Sequence, residues 1–226
     1  LPLLIVEEGE GIILCTLFSG KHDTLDRWLE CLDNLAFEKA LLHLVWLDNS
    51  EDPRFSSRLQ TEFDRRKGDY SSAVLLHEPR RVGPKHLQVA FLYRHSRGFF
   101  PKDIPYVFCW EDDVLIPQRS LRLLLEELQK DPQRGAISGA VPYLRPEGRS
   151  EILLWDYKTL SPLPFSPGED VLRLQAVEAP QHFYGCTQIA GSGFGCLLTR
   201  RHLYDVSSLL GERFQVYHDQ LYGWEL

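Results

Sequence analysis

Short apolar runs alternate with helical patterns along most of this 226-residue chain, and this alternation constrains the fold more than any single residue does. The predicted strands are residues 11–18, 42–47, 72–77, 106–110, 135–141 and 193–199. The predicted helices are residues 23–35, about 84–97, 118–130, and one that begins near residue 201. Strands that alternate with helices are typical of βαβ units around a largely parallel sheet. We therefore predict an α/β fold in which a mostly parallel central sheet is flanked by helices.

The regular pattern weakens in the second half of the chain. Between Pro142 and Pro180, prolines and glycines interrupt the apolar runs, and only residues 152–157 and 171–177 are strand-like. We interpret this part as loop-rich. The length, with 43% hydrophobic and 25% charged residues, suits one globular domain spanning residues 1–226. Methionine is absent even at position 1, so we expect the chain to be trimmed at one or both ends.

Charge and cysteine content narrow the possible partners and compartment. The formal net charge of −7 provides no overall basic field to attract nucleic acid, so DNA or RNA is not a favoured partner. The five cysteines are odd in number and form no Cys-x-x-Cys motif, which favours free thiols in a reducing compartment. No apolar stretch reaches the roughly 18 residues of a membrane span, and the first residues do not resemble a signal peptide. A cytoplasmic location is the resulting expectation.

Polar residues follow three of the predicted strands where each strand ends. They are Thr16 with Ser19, then Asp48 with Asn49 and Ser50, and then Glu111, Asp112 and Asp113. Open α/β sheets bind ligands at the carboxyl ends of their strands, so these side chains are predicted to converge on one crevice. The alternative is that polar residues follow strands simply because loops are polar.

The acidic residues 111–113 suggest a metal site. In an extended segment Glu111 and Asp113 would point to one face and Asp112 to the other. Such carboxylates suit a hard divalent cation, which usually keeps waters and substrate phosphates as its remaining ligands. The alternative is a solvated acidic turn that caps the helix predicted from Gln118, although Pro117 and apolar residues separate the two.

Taken in order, four segments resemble the nucleotide-sugar glycosyltransferases of GT-A fold, and they are most similar to family 2 and its relatives. The segments are residues 13–19 (ILCTLFS), 46–50 (WLDNS), 109–117 (CWEDDVLIP) and 191–201 (GSGFGCLLTRR). The resemblance covers most of residues 11–226. It implies a Rossmann-like sheet, a nucleotide-sugar-binding half at about residues 1–115, and an acceptor-binding and catalytic half at about residues 116–226.

The resemblance also implies roles for residues that would bind the donor, most commonly a UDP-sugar. Thr16 and Phe18 match the segment that lines the base and ribose, and Asp48, followed by Asn49, matches the acid that hydrogen-bonds the base. Lys85 lies in a basic segment that either contacts the nucleotide or is an ordinary solvated loop.

The metal and catalytic positions follow from the same resemblance. Glu111-x-Asp113 corresponds to the family's Asp-x-Asp motif for Mn²⁺ or Mg²⁺, with Asp113 as the direct ligand, Glu111 as a longer and less direct one, and Asp112 facing the sugar. Asp219 matches the general base of inverting members, which takes the proton of the acceptor hydroxyl. Glu225 is the reserve for that base, and His218 is a further candidate ligand of the metal or diphosphate. Asp219 could instead cap a helix.

Two other functions fit parts of the pattern. A sugar-nucleotide nucleotidyltransferase shares the layered build, but it would need a glycine-rich basic loop after the first strand, where residues 15–24 contain one glycine. A non-catalytic nucleotide-sugar-binding module is the other alternative. For the transferase, the hydroxyl acceptor stays open among a glycan, a lipid, a protein, a small molecule and a modified DNA base, as does the oligomeric state.

Overall fold

The computed structural model describes residues 11–83, 85–139, 142–144, 150–152, 154–155, 177–178, 191–192 and 194–206. The strands are β1 (Ile12–Phe18), β2 (Leu42–Asp48), β3 (Ser72–His77), β4 (Tyr106–Trp110), β5 (Ala136–Ser138), β6 (Pro142–Leu144), β7 (Ser150–Ile152), β8 (Leu154–Trp155), β9 (Val177–Glu178), β10 (Gly191–Ser192) and β11 (Cys196–Arg200). The helices are α1 (His22–Asp33), α2 (Pro53–Arg66), α3 (Lys85–Ser96), α4 (Ser120–Gln129) and α5 (Arg201–Val206). Short 3₁₀ turns cover Lys39–Leu41, Lys67–Asp69 and Arg97–Phe99.

A six-stranded sheet organises these elements in the order β3-β2-β1-β4-β11-β5. Strands β1 to β4 pair in parallel, whereas β11 runs antiparallel to both β4 and β5. There are also two small sheets, β6-β7-β9 and β10-β8, and all of their strands except β10 lie in residues 142–180, the part predicted to be loop-rich. The predicted fold class, a mostly parallel central sheet flanked by helices, is confirmed.

Helices cover both faces of the sheet because strands β1, β2 and β4 are apolar on both sides, as buried parallel strands must be. One face packs against α1, α2 and α4 around three tryptophans, and the rings of Trp28 and Trp110 lie 4.5 Å apart between centroids. The other face packs against α3 and α5, with Tyr93 and Tyr204 fully buried. The two layers fix the carboxyl ends of the central strands, which carry the candidate site.

The described cysteines support the prediction of free thiols. Cys15, Cys31, Cys109 and Cys196 are free, and all but Cys31 are buried. Burial raises the pKa of the Cys15 thiol to about 12, which leaves it protonated and inert at neutral pH. Cys186 lies outside the described residues.

Several element boundaries differ from the predicted ones. The strand predicted at residues 193–199 starts only at Cys196, because Phe194 and Gly195 form a turn. The strand-like stretch at residues 152–157 is divided between the end of β7 and the separate β8, while residues 171–176 lie outside the described part. Helix α2 was not predicted at all. Within the described ranges, no helix is both long enough and apolar enough to cross a membrane.

Candidate functional site

The candidate site lies where the direction of strand order reverses in the sheet. From β1 the chain moves outward to β2 and β3 on one side, and then returns to β4 on the other side of β1. The loops that leave β1 and β4 therefore separate at their carboxyl ends and leave a crevice, which is where open α/β sheets bind ligands. Ser19 to Lys21 follow β1 at this edge, and Glu111 to Val114 follow β4.

Side chains from these two loops meet in the crevice. Asp112 Oδ2 accepts hydrogen bonds from the Ser19 backbone N–H at 2.8 Å and from the Ser19 hydroxyl at 3.1 Å. The Lys21 ammonium donates to Asp112 Oδ1 at 3.3 Å and to Asp113 Oδ2 at 2.5 Å. The side chain of Asp112 is only 6% exposed, whereas that of Asp113 is 42% exposed. Asp112 therefore ties the two loops together, and Asp113 is the carboxylate that a ligand can reach.

The charges in this cluster do not balance. Burial raises the pKa of Asp112, and the attraction of Lys21 and the Ser19 hydrogen bond offset only part of that effect. Burial on its own would lower the pKa of Lys21, but the charges and hydrogen bonds of Asp112 and Asp113 outweigh it, so the pKa of Lys21 is raised. One ammonium thus serves two carboxylates, which leaves the ionised cluster with a net negative charge that a further cation can neutralise.

The geometry that we predicted for the three acids is wrong. Residues 111–114 form a turn, closed by a hydrogen bond from the Val114 N–H to the Glu111 carbonyl at 3.2 Å, so the two-residue alternation of a strand does not apply. As a result Asp112 and Asp113, rather than Glu111 and Asp113, point to the same place, and both contact the Lys21 ammonium. The Trp110 indole N–H donates to the Val114 carbonyl at 2.7 Å and holds the turn against the core.

Gly20 allows Lys21 to reach the acidic turn. Its φ of +89° lies in the left-handed region, and a Cβ at this position would lie 2.8 Å from the Ser50 hydroxyl oxygen. That oxygen is fixed because it accepts a hydrogen bond from the Asp52 N–H at 3.0 Å. Lys21 was not among the predicted site residues, although its position directly after the strand-ending pair Ser19-Gly20 was the available signal.

Asp48 lies at the same edge, at the end of β2, and is buried. Its Oδ1 accepts a hydrogen bond from the Ser50 N–H at 2.9 Å, and its Oδ2 lies 2.9 Å from His77 Nδ1. His77 is the register partner of Asp48 on β3, and its side chain is 51% exposed. His77 was not among the predicted site residues, although the parallel pairing of the ends of β2 and β3 could have revealed it. Asp48 and His77 form an ordered polar pair beside the β1 edge.

Asn49 has a structural role in the described part of the chain. Its side-chain amide donates to the Glu78 carbonyl at 2.6 Å, and its Oδ1 accepts from Arg81 at 2.8 Å. The same loop is held from α3, where the Gln88 side chain bonds to the backbone of Arg80 and Val82 at 2.8 Å each. These contacts fix the loop after β3 next to the crevice.

Thr16 and Phe18 lie in the core rather than on the crevice surface. Both are fully buried, and the ring centroid of Phe18 lies 5.1 Å from those of Trp28 and Trp46. The Thr16 hydroxyl has no hydrogen-bond partner among the described residues. A nucleotide could therefore contact Thr16 and Phe18 only through their backbone atoms, and the role of these two residues in lining the base and ribose stays a prediction.

The carboxylates present fit a divalent cation of the magnesium or manganese type. Within the described ranges, no group of three or more His, Cys, Asp or Glu side chains could hold a metal ion alone. Mg²⁺, however, is usually held by one or two carboxylates together with waters and substrate phosphates. Asp113 supplies one such carboxylate, because its side chain is 42% exposed and contacts only Lys21 in the described part of the chain.

Comparison with known proteins gives distant structural similarities. No protein-family model matches the sequence, and no curated protein is significantly similar to it. The mannosyltransferase PcManGT from Pyrobaculum calidifontis, solved with GDP-Man and Mn²⁺, is 17% identical over 60% of this chain and 36% of its own, with a TM-score of 0.48. S. aureus TarS 1–349 with UDP-GlcNAc is 13% identical over 53% of this chain and 32% of its own, with a TM-score of 0.39.

A third similar structure, A197 from STIV, covers more of both chains. It is 10% identical over 94% of this chain and 76% of its own, with a TM-score of 0.47. The chain spans about a third of the length of PcManGT and of TarS 1–349. With every TM-score below 0.5, these similarities carry no argument about function, which rests on the site itself.

Four of the predicted site residues fall, entirely or in their side chains, outside the part of the chain that the structure describes. Asp219, Glu225 and His218 lie outside the described residues, as does the side chain of Lys85, the first residue of α3. The side chain of Glu111 is separate from the Asp112 and Asp113 contacts to Lys21, and its charge contributes, after burial and Cys109, to raising the pKa of Tyr93 on α3.

Proposed function

We propose that this protein is a metal-dependent glycosyltransferase, which moves a sugar from a nucleotide-diphosphate donor to a hydroxyl acceptor. One observation carries the proposal: Lys21 at the end of β1 meets Asp112 and Asp113 at the end of β4, across the switch point of the sheet. A bound diphosphate needs positive charge from more than one direction. A divalent cation held at the exposed Asp113, with the Lys21 ammonium beside it, is suited to supply that charge.

Each residue of this cluster has a separate role in the proposal. Asp113, as the exposed carboxylate, would hold Mn²⁺ or Mg²⁺, while the buried Asp112 keeps the two loops together and neutralises Lys21. Glu111 would contribute through a water, and His218 is a further proposed ligand. When bound, the cation would neutralise charge on the departing nucleotide diphosphate, which lowers the barrier to its loss.

The nucleoside is proposed to lie across the ends of β1, β2 and β3. There the Asp48 and His77 pair offers polar groups to the base or ribose, and the loop fixed by Asn49 borders the same edge. Lys85 begins α3 just beyond this loop and is proposed to contact the nucleotide phosphates. The donor is proposed to be a UDP-sugar, on the sequence resemblance described above.

The transfer is proposed to be inverting, with Asp219 as the general base and Glu225 as its reserve. The base takes the proton of the acceptor hydroxyl while that oxygen bonds to the anomeric carbon, and the bond from this carbon to the diphosphate breaks on the opposite face. On a confirmed acceptor, Asp219→Asn should lose transfer while still binding donor. Transfer at the wild-type rate would reject Asp219 as the base.

A screen for donor hydrolysis tests the proposed function. Purified protein is incubated with UDP- and GDP-sugars and Mn²⁺ or Mg²⁺, and release of the nucleoside diphosphate is followed. We expect one donor to be consumed and Asp113→Ala to lower the rate about a hundredfold or more, because loss of a metal ligand removes several kcal/mol of stabilisation.

The matched control is Asp69→Ala, because Asp69 also pairs with a lysine, Lys39 at 3.3 Å, but lies just before β3 at the opposite edge of the sheet. This variant should hydrolyse the donor at the wild-type rate. Consumption of no donor, or equal rates for Asp113→Ala and wild type, would overturn the metal-dependent transferase.

A nucleotidyltransferase is the second candidate because Lys21 places a basic group directly after β1, where such an enzyme needs one for a triphosphate. The reaction products separate the two functions. A nucleotidyltransferase joins a nucleoside triphosphate to a sugar phosphate, forms the nucleotide sugar and releases pyrophosphate. The transferase proposed here instead consumes the nucleotide sugar and releases a nucleoside diphosphate.

A further inference from the structure

The Lys21 ammonium is paired with Asp113, the carboxylate that is proposed to hold the metal ion. Its ammonium lies 2.5 Å from Asp113 Oδ2 and 3.3 Å from Asp112 Oδ1, and its side chain is 41% exposed. A lysine ammonium is a compact charge on a flexible stem, so a partly exposed one can change partners without unpacking the core. The nearer of its two contacts is the one to the accessible Asp113.

The two aspartates depend on Lys21 to different degrees. Asp112 is held by the Ser19 N–H and hydroxyl in addition to Lys21, so its position does not require the ammonium. For Asp113, Lys21 is the single side-chain contact in the described part of the chain. A cation that binds at Asp113 must therefore compete with Lys21, while Asp112 can keep its place and its contact to Lys21.

The net charge of the cluster formed by Asp112, Asp113 and Lys21 changes sign when a divalent cation binds. The two ionised carboxylates and Lys21 together carry one net negative charge, which would repel a diphosphate. With a divalent cation bound, the same groups together carry one net positive charge. The Lys21 ammonium, released from Asp113, is then free to pair with another anion. A diphosphate bound beside the cation is the nearest available anion for it.

We propose, as an extension of the proposed function, that Lys21 is an exchangeable diphosphate ligand. In the ligand-free protein its ammonium neutralises Asp113. When a divalent cation is held at Asp113, the ammonium turns to the donor's diphosphate and stays anchored near Asp112. Lys21 is thus both a competitor of the metal and a partner of the nucleotide.

This double role predicts opposite effects from one substitution. Lys21→Met keeps the length of the apolar stem but removes the ammonium. We expect it to bind Mn²⁺ alone about two- to fivefold more tightly, since an exposed ion pair no longer competes. We expect it to bind UDP or GDP in the presence of Mn²⁺ about ten- to a hundredfold more weakly, since a charge-assisted contact is lost.

Isothermal titration calorimetry measures both affinities, first for Mn²⁺ alone and then for UDP and GDP with Mn²⁺ present. The variants are Lys21→Met, Lys21→Arg and the control Lys67→Met, whose lysine also pairs with an aspartate, Asp64 at 2.8 Å, but lies before β3. Lys21→Arg should keep diphosphate binding within a few fold of wild type, and Lys67→Met should change neither affinity. Circular dichroism and thermal unfolding confirm that each variant is folded.

The outcomes separate this inference from the proposed function. If the wild type binds neither UDP nor GDP with Mn²⁺, the proposed function fails and the role of Lys21 fails with it. If the wild type binds a nucleoside diphosphate and Lys21→Met binds it equally well, only the inference about Lys21 is overturned. Equal weakening of metal and nucleotide binding also overturns it, because that result indicates a structural lysine. If Lys21→Met does not fold, Lys21→Gln replaces it under the same criteria.

Discussion

At the scale of residues, the acidic turn after β4 contains three carboxyl groups in three different environments. Asp112 is buried and hydrogen-bonded across the crevice, Asp113 is exposed and bound by Lys21, and Glu111 stands apart from both contacts. The sequence predicted acids at a strand end, and the family resemblance implied Asp113 as the direct metal ligand. It could not predict which pair converges, because a turn replaces the extended backbone on which that prediction depended.

A substitution at Gly20 tests the backbone that positions Lys21. Gly20→Ala forces a side chain into the left-handed region at φ +89° and against the Ser50 hydroxyl. We expect it to lower the free energy of unfolding by about 1–3 kcal/mol, measured by urea denaturation, and to weaken donor binding.

Gly68→Ala is the control for this prediction, because nothing lies within 4 Å of the Cβ it would add. That variant should change the free energy of unfolding by less than about 1 kcal/mol and leave donor binding unchanged. Equal stability for the Gly20 and Gly68 variants would contradict the account of Gly20.

At the scale of elements, the strands were predicted more successfully than the helices between them. Strands β1, β2 and β4 are mainly apolar runs with clear limits, so their buried character can be read directly from the sequence. Helix α2 was missed, although its buried Phe55, Leu59 and Phe63 recur at four-residue spacing. Its N-terminal signal, Asp52 followed by Pro53, was also present.

The cap of α2 gives a prediction about pH. The Asp52 side chain accepts a hydrogen bond from the Arg54 N–H at 2.9 Å and lies 3.0 Å from His22 Nε2. The hydrogen bond to His22, followed by that from the Arg54 backbone, lowers the pKa of Asp52 in the folded protein. A lowered pKa gives stability that is present above the unfolded value of about 3.9 and is lost as the pH falls through the folded value.

We therefore expect Asp52→Ala to lower the midpoint of thermal unfolding at pH 7. At pH 3 the midpoints of the variant and the wild type should be closer together. Asp52→Asn is the control, because asparagine keeps a capping oxygen but not the charge. At pH 7 it should lower the midpoint of thermal unfolding by less than Asp52→Ala does. A difference between Asp52→Ala and wild type that stays constant from pH 7 to pH 3 would contradict the assignment.

At the scale of the whole molecule, the class of fold could be predicted but the order of the strands could not. The alternation of strands and helices predicted a mostly parallel sheet, yet it gave no sign that β1 lies between β2 and β4 or that β11 runs antiparallel. That order is what brings Lys21 to Asp112, which lies 91 positions later in the chain. Long-range pairing depends on how both faces of the sheet pack, which local patterns do not encode.

The crevice at the carboxyl ends of β1 and β4 is proposed to bind a nucleoside diphosphate. Backbone hydrogen–deuterium exchange, compared with and without UDP or GDP and Mn²⁺, tests it most directly because it locates the ligand. We predict slower exchange at residues 19–21 and 111–114, with no change at residues 67–71, which precede β3 at the opposite edge. Slower exchange at that opposite edge alone, or no change with either nucleotide, would contradict the claim.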